Sequence, residues 1–146
     1  MTIPAGSESG EAVIRYLLAN SSAIQAVVPA IRIFVGELPL GTAMPAIEIN
    51  QISSSQRNTI SNDRTPKQNT DRVQVTVYRG ATPGDSGHPG LKPLLTLILS
   101  ACQGQHGTIN GIVVDSITPD VEGPNLPIPD LSIFTRSRDF IVKFIA

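Results

Sequence analysis

The hydrophobic pattern of the chain is clearest between residues 71 and 102. Over residues 72–78, valines alternate with polar or amphipathic side chains, which is typical of a strand with one buried face. A segment rich in glycine and proline follows at residues 80–90. Apolar residues then recur at helical spacing and form one stripe, which consists of Leu91, Leu94, Leu95, Ile98, Leu99 and Cys102. Because each pattern leaves an apolar surface that needs cover, we predict that this strand and this helix pack together as the core.

The N-terminal part of the chain predicts two short helices after a flexible lead at residues 1–10. Apolar residues between positions 13 and 18 share one helical face, and Glu11 in the first turn suits the positive end of the helix dipole. The run Asn20-Ser21-Ser22 breaks this helix and offers an N-cap for a second one, which ends at Pro29.

Five segments have the composition or the alternation of strands: residues 31–35, 46–52, 72–78, 108–117 and 133–145. Asn110-Gly111 interrupts the fourth segment and is typical of a tight turn or a bulge. The last segment is apolar on much of both faces, so one face needs cover from the N-terminal helices or from another subunit. We therefore predict an α+β fold in one domain, residues 1–146, with a mostly antiparallel sheet of four to five strands. One long helix, Leu91–Cys102, and the N-terminal helices would pack this sheet.

Residues 53–70 form an almost wholly polar segment. A connection longer than about 12–15 residues without its own structure is uncommon in a compact domain and is usually functional or disordered. Alternatively, the flanking strands extend into a projecting hairpin with Asn62-Asp63 near its tip. In both cases we predict that the segment protrudes. Its basic residues are candidates for contact with a partner or with passing DNA, although a solvated loop is the simpler explanation: Arg57, Arg64, Lys67 and Arg72.

Composition excludes several classes of protein. Eleven basic and twelve acidic residues give a net charge of −1, without the basic surplus typical of nucleic-acid binding. We predict a soluble protein, because the N-terminus lacks the pattern of a secretory signal and no apolar stretch approaches the roughly twenty residues that span a bilayer. Charged residues make up only 16 % of the chain, which indicates a surface partly covered by neighbouring subunits.

The sequence offers no catalytic, metal or cofactor site, and we predict none. His88 and His106 are the only histidines, and neither has a second ligand at metal-binding spacing. The single cysteine, Cys102, lies on the apolar helix stripe and excludes an internal disulfide. The segment at residues 80–90 lacks the glycine spacings of phosphate-binding loops.

With catalysis unsupported, the order of the elements becomes the main indication of function. Two segments stand out, Arg-Ile-Phe-Val-Gly-Glu-Leu-Pro at residues 32–39 and Arg-Val-Gln-Val-Thr-Val-Tyr at residues 72–78. With these segments and the order of elements around them, nearly the whole chain resembles the tail completion, or tail terminator, proteins of long-tailed bacteriophages and gene transfer agents.

The resemblance implies a structural protein of the virion, assembled in the host cytoplasm and located at the head–tail junction. It implies a ring, usually a hexamer, that caps the tail tube, stops its polymerisation and docks to the head-closure complex. Partners would be further copies of the chain, the major tail tube protein, the head-closure or connector protein and DNA passing through the lumen without sequence-specific binding. No membrane partner is implied.

Within such a ring, residues 53–70 would make the axial or luminal contact. The edges of the strands at residues 31–35 or 139–145 would make lateral contacts, because an uncovered strand edge is a template for pairing. Three alternatives stay open at this point: a head-closure or tail tube subunit, a small ferredoxin-like module that binds nucleic acid and, more remotely, an enzyme whose site the sequence does not reveal.

Overall fold

The computed structural model describes residues 10–39, 41–57, 67–80, 91–124, 126–128 and 133–145. Three α-helices and one 3₁₀ turn are present in this part of the chain: α1 at Gly10–Ala19, α2 at Ser22–Gln25, the 3₁₀ turn at Ala30–Arg32 and α3 at Leu91–Cys102. The strands are β1 at Ile33–Val35, β2 at Ala46–Gln56, β3 at Gln68–Gly80, β4 at Gly107–Ile109, β5 at Ile112–Glu122, β6 at Leu126–Ile128 and β7 at Ile133–Ile145.

These strands form one seven-stranded sheet in the order β1-β2-β3-β7-β5-β4, with β6 also paired to β7. The β1–β2 pair is parallel, and all other pairs are antiparallel. β7 lies at the centre of the sheet. β3 pairs with β7 from Gln68↔Ile145 to Gly80↔Ile133 and covers one edge of β7 along the whole strand. β5 and β6 therefore pair with its other edge.

The predicted fold class is wrong. Strands hold 51 % of the described residues, and the chain forms a curled mixed sheet with three short helices instead of a four- to five-stranded antiparallel sheet packed by one long helix. β4 and β6 have three residues each, which is too short to show a period. Asn110-Gly111 forms a tight turn, with φ angles of 52° and 78°, and divides the predicted fourth strand into β4 and β5.

The helices pack on one face of the sheet, which we call the helix face. Val73, Val75 and Val77 of β3 are fully buried there, as predicted. The stripe of α3 is buried against β3, β7 and α1, apart from Leu99, which is half-buried. The predicted pairing of strand and helix is confirmed. Each of these large aliphatic side chains stabilises the fold by about 1.5–3 kcal/mol through burial.

A carboxylate of the sheet fixes the start of α1. Asp71 on β3 is 1 % exposed, and it accepts hydrogen bonds from the Gly10 amide at 2.9 Å and from the Ser54 hydroxyl at 2.5 Å. The negative charge also suits the positive end of the helix. A Cβ atom at Gly10 would lie 2.9 Å from the Asp71 Cβ, so this approach requires glycine. Asp71 thus ties the N-terminal helix to the sheet that it covers.

Candidate assembly surfaces

The second face of the sheet, which we call the open face, carries polar side chains that are mostly half-buried. Its central residues alternate with the buried valines of β3 and with the buried apolar residues of β7, as the pleat requires. They are Glu48, Asn50, Arg72, Gln74, Thr76, Tyr78, Ser137 and Asp139. The central part of this face is therefore polar.

Arg72 lies on the open face in an ion cluster. Its Nε and Nη2 donate to Asp139 Oδ2 at 3.0 and 2.8 Å, and Nη2 also lies 3.3 Å from Asp120 Oδ2. The hydrogen bond and the charge of Asp139 raise the pKa of Arg72 above its ordinary value. Because two carboxylates surround one guanidinium, this arginine adds no positive excess to the surface. We call these three residues the Arg72 cluster.

Of the other basic residues predicted as partner contacts, Arg57 and Lys67 come together. β2 and β3 pair as far as Gln56↔Asn69, and the Arg57 amide donates to the Gln68 carbonyl at 2.8 Å. Arg57 is exposed and Lys67 is half-buried. Arg72 lies about 16 Å farther along β3 at the usual rise per residue. Arg64 and the predicted hairpin tip lie outside the described residues.

A groove of about 370 Å³ lies at the opposite end of the β2–β3 pair. Its lining combines the segment after β1 with open-face residues: Glu37, Leu38, Pro39, Gly41, Thr42, Met44, Glu48, Tyr78, Ile128 and Ile133. Glu48 accepts from the Leu38 amide at 2.8 Å and from Asn50 Nδ2 at 2.7 Å. Burial raises the pKa of Tyr78, and the charge of Glu48 raises it further. No pattern in the sequence indicates this groove, because its walls come from distant segments.

The structure corrects one of the two predicted lateral edges. Residues 139–145 belong to β7, which is paired on both sides, so they offer no free strand edge. β1 does lie at an edge of the sheet, but its backbone is partly occupied: the Ile33 amide donates to the Ala30 carbonyl, and the Ile33 carbonyl accepts from Arg15 Nε at 3.3 Å. The neighbouring Ile31 side chain is 82 % exposed.

The opposite edge of the sheet is also unsuited to long strand pairing. β4 covers only the first residues of β5, as far as Val114. Beyond it, the Ile117 carbonyl accepts from the Gly104 amide at 3.1 Å, and Pro119 has no amide hydrogen to donate. Val113 and Val121 on this side are 50 % and 55 % exposed. At both edges, some backbone groups are therefore already hydrogen-bonded or lack a donor, while β-branched side chains are exposed.

A second ion cluster lies on the helix face, at the end of the sheet beneath the first turn of α3. Glu122 Oε2 lies 2.7 Å from Lys92 Nζ and 2.8 Å from Arg136 Nη2, and Oε1 lies 3.6 Å from Arg138 Nη1. Hydrogen bonds from Lys92 and Arg136 lower the pKa of Glu122. We call these four residues the Glu122 cluster. Sequence reasoning missed it, because its members come from α3, β5 and β7 and share no spacing in the sequence.

The described residues contain no group of three or more His, Cys, Asp or Glu side chains that could hold a metal ion. Burial raises the pKa of the Cys102 thiol to about 12, so the thiolate is not formed at neutral pH. His106 is exposed, and His88 lies outside the described part of the chain. Within the residues described, no helix is long and apolar enough to cross a membrane.

Comparison with known proteins places these surfaces in context. A chain in a structure described as "Virion of native gene transfer agent (GTA) particle" is similar, with a TM-score of 0.66 and 10 % sequence identity over 94 % of this chain and 95 % of that one. At this identity the similarity shows a shared fold. No curated protein matches the chain. The family model described as "Tail completion protein gp17" matches residues 12–122, which include both segments that carry the resemblance. The chain therefore belongs to the tail completion protein gp17 family and is a structural protein of the virion tail.

Proposed function

We propose that this protein is a tail terminator. Copies of the chain assemble into a ring, expected to be a hexamer, on the end of the finished tail tube, stop its polymerisation and provide the surface that joins the tail to the head. The role is structural, without catalysis. Membership in the tail completion family is the observation that carries this proposal.

The two edges of the sheet suit the lateral contacts of a ring. A ring needs two different patches on each subunit that meet head to tail. Ile31 and Val35 lie on the β1 side and are 82 % and 40 % exposed, whereas Val113 and Val121 lie on the β5 side. Because the backbone of both edges is partly occupied, we expect side chains to pack across the interface rather than strands to extend the sheet.

The two ends of the β2–β3 pair suit the axial contacts. Arg57 and Lys67 lie at one end and add positive charge, and the groove beside Tyr78 lies at the other. β2 has eleven residues, so these ends are about 30 Å apart. We expect the basic end to contact the tube or the passing DNA, and the opposite end to face the neighbouring component of the neck.

The proposal is tested by the solution mass from light scattering, with and without purified tail tubes, followed by electron microscopy of the tube ends. A closed ring, in solution or on tube ends only, supports it. A chain that stays monomeric at high concentration and leaves tube ends uncovered contradicts it. Addition of purified heads then tests the joining function. Tubes capped by the protein should join to heads, and uncapped tubes should not.

A short linker in place of residues 58–66 tests the axial contact. The change leaves the Gln56↔Asn69 pair in place, so the variant should fold and form rings but lose binding to tube ends. A matched variant, Arg57→Gln with Lys67→Gln, keeps the chain length and removes only the two charges. Normal capping by both variants would show that this end of the subunit does not face the tube.

A further inference from the structure

The groove beside Tyr78 combines apolar walls with two carboxylates. Most of its lining is apolar or aromatic, and its volume of about 370 Å³ lies within the range of ligand pockets, about 300–1,000 Å³. Glu37 and Glu48 are the charged residues of the lining. A surface of this kind suits a side chain that has both an apolar stem and a positively charged head.

Glu48 is hydrogen-bonded, but its partners are neutral groups. Its two oxygens accept from the Leu38 amide at 2.8 Å and from Asn50 Nδ2 at 2.7 Å, and the Tyr78 side chain is a further hydrogen-bond partner. Neutral donors satisfy the oxygens without cancelling the charge. The bond to the Leu38 amide also holds the segment of the exposed Glu37 against this wall. Both glutamates therefore make the groove electrostatically negative.

The described residues do not supply a cation that balances these two charges. The described lining contains no lysine, arginine or histidine, and neither glutamate forms an ion pair within the described part of the chain. Arg32 contacts a residue of the wall, because its Nη1 donates to the Met44 carbonyl at 3.4 Å, but it is in no ion pair with either carboxylate. The groove thus differs from the Arg72 and Glu122 clusters, in which both signs of charge meet.

We propose that this groove binds an arginine side chain of the neighbouring neck component. The stem of the arginine lies along the apolar wall, and its guanidinium meets the two carboxylates and stacks on the Tyr78 ring. Arginine suits the groove better than lysine does, because its planar guanidinium is less strongly hydrated and stacks on aromatic rings. Two carboxylates repel a phosphate backbone, so nucleic acid does not suit the groove. The identity of the partner rests on the proposed function, since the groove lies at the end of the subunit assigned to the neck.

The protein contains its own reporter for this groove, because it has two tyrosines and no tryptophan. Tyr16 lies on α1 and is 43 % exposed, so the variant Tyr16→Phe should fold, and it leaves Tyr78 as the only tyrosine. The probe is the peptide acetyl-Leu-Arg-Leu-amide, titrated at constant ionic strength, with acetyl-Leu-Gln-Leu-amide as the neutral reference. We expect a saturable change of the tyrosine emission with the arginine peptide and at least about tenfold weaker binding of the glutamine peptide.

A pair of charge variants, each made in the Tyr16→Phe background, shows where the peptide binds. Glu37→Gln removes the charge of an exposed side chain in the groove and should weaken the binding of the arginine peptide several-fold. Asp115→Asn removes an exposed carboxylate beside Gln68, at the other end of β3, and should leave the affinity unchanged.

Three results of the titration would overturn the proposal. The first is an emission that the arginine peptide leaves unchanged up to millimolar concentration. The second is equal affinity for the two peptides, which would make the groove an apolar site without preference for a cation. The third is an equal loss in Glu37→Gln and Asp115→Asn, which would indicate a general charge effect.

The partner is tested separately, on tail tubes capped by variants of the full chain. Tubes capped by Glu37→Arg should keep their rings in electron micrographs but join to purified heads at least about tenfold less often than tubes capped by the wild type. Ser100→Arg adds a positive charge at an exposed position of α3 and should join normally. Normal joining by Glu37→Arg, or tube ends that this variant leaves uncovered, would overturn the assignment to the neck component. A wild type that caps no tubes counts against the proposed function alone, because the peptide titration uses neither tubes nor heads.

Discussion

The two faces of the sheet differ in what they contribute. The helix face contains the fully buried valines of β3 and the buried stripe of α3, and its removal from water drives folding. The open face contains half-buried polar groups, among which Arg72 and Asp139 compensate each other. One strand serves both, since Arg138 and Asp139 are neighbours on β7 and point to opposite faces.

This difference separates folding from assembly. A face that is already buried within the subunit determines the stability of the fold, and it can contribute little to contacts with other chains. The open face and the two sheet edges carry the polar and exposed apolar groups that another chain can reach. Substitutions of buried residues on the helix face should therefore change the free energy of unfolding, whereas substitutions at the sheet edges and on the open face can change assembly.

The largest expected effect is that of Leu95→Asp on the helix face. Leu95 is 1 % exposed, so the variant buries an unpaired carboxylate and removes apolar contacts. We expect a loss of at least about 4 kcal/mol, which is a large part of the roughly 5–15 kcal/mol that stabilise a typical domain. Thr118→Asp places the same charge at an exposed position of the open face and should change stability by less than about 0.5 kcal/mol. Urea denaturation followed by circular dichroism measures both, and similar losses in the two variants would contradict the distinction between the faces.

A smaller effect is expected for Asp71→Ala. The substitution leaves the Gly10 amide and the Ser54 hydroxyl without their buried acceptor. We expect a loss of about 1–2 kcal/mol, as for the removal of a helix cap. Hydrogen exchange should show that the first turn of α1 opens before the sheet does. Unchanged protection of this turn would mean that packing alone holds α1 in place.

Sequence patterns predicted those parts of the fold in which one long element buries one face. The alternation in residues 72–78 and the stripe of α3 identified β3, α3 and their contact correctly. The prediction for the sheet as a whole was wrong, because the pairing of strands depends on segments that are distant in sequence. Nothing local in Ile33–Val35 indicates a parallel pair with β2, and β6 is too short to show the alternation of a strand.

The candidate surfaces were less predictable than the core. Charge alone suggested that Arg57, Arg64, Lys67 and Arg72 act together, but β3 carries Arg72 away from the end of the strand pair to two carboxylates from β5 and β7. The Glu122 cluster combines α3, β5 and β7, and no spacing in the sequence joins these elements. Contacts of this kind become visible only when the strand order is known.

Two glutamates should give opposite dependences of stability on pH. The pKa of Glu122 is lowered from 4.5 by its cationic neighbours, so its contribution is present above pH 4.5 and is lost as the pH falls through the lowered value. Burial raises the pKa of Glu11 from 4.5, so its charged form costs stability above pH 4.5. We expect Glu122→Gln to be less stable than the wild type at neutral pH, and Glu11→Gln to be slightly more stable. The free energy of unfolding of each variant and of the wild type is measured from neutral pH to below pH 4.5. If both variants are less stable, or both more stable, than the wild type at neutral pH, one of the two predictions is wrong.

The smallest effect on stability is expected at the sheet edges. Ile31→Asp and Val121→Asp place a charge at exposed positions, so each should change the free energy of unfolding by less than about 0.5 kcal/mol. If the two edges meet head to tail, each variant alone should fail to form rings. Each still keeps one intact patch, so an equimolar mixture should form a one-to-one heterodimer and nothing larger.

Light scattering of each variant and of the mixture measures this outcome, with Ser100→Asp, at an exposed position of α3, as the control that should assemble normally. If either variant forms rings alone, the substituted patch is not part of the interface. A mixture that stays monomeric would show that the two patches do not contact each other, even if both are needed. The heterodimer is the decisive result, because only a head-to-tail interface lets two defective subunits complement each other once and then stop.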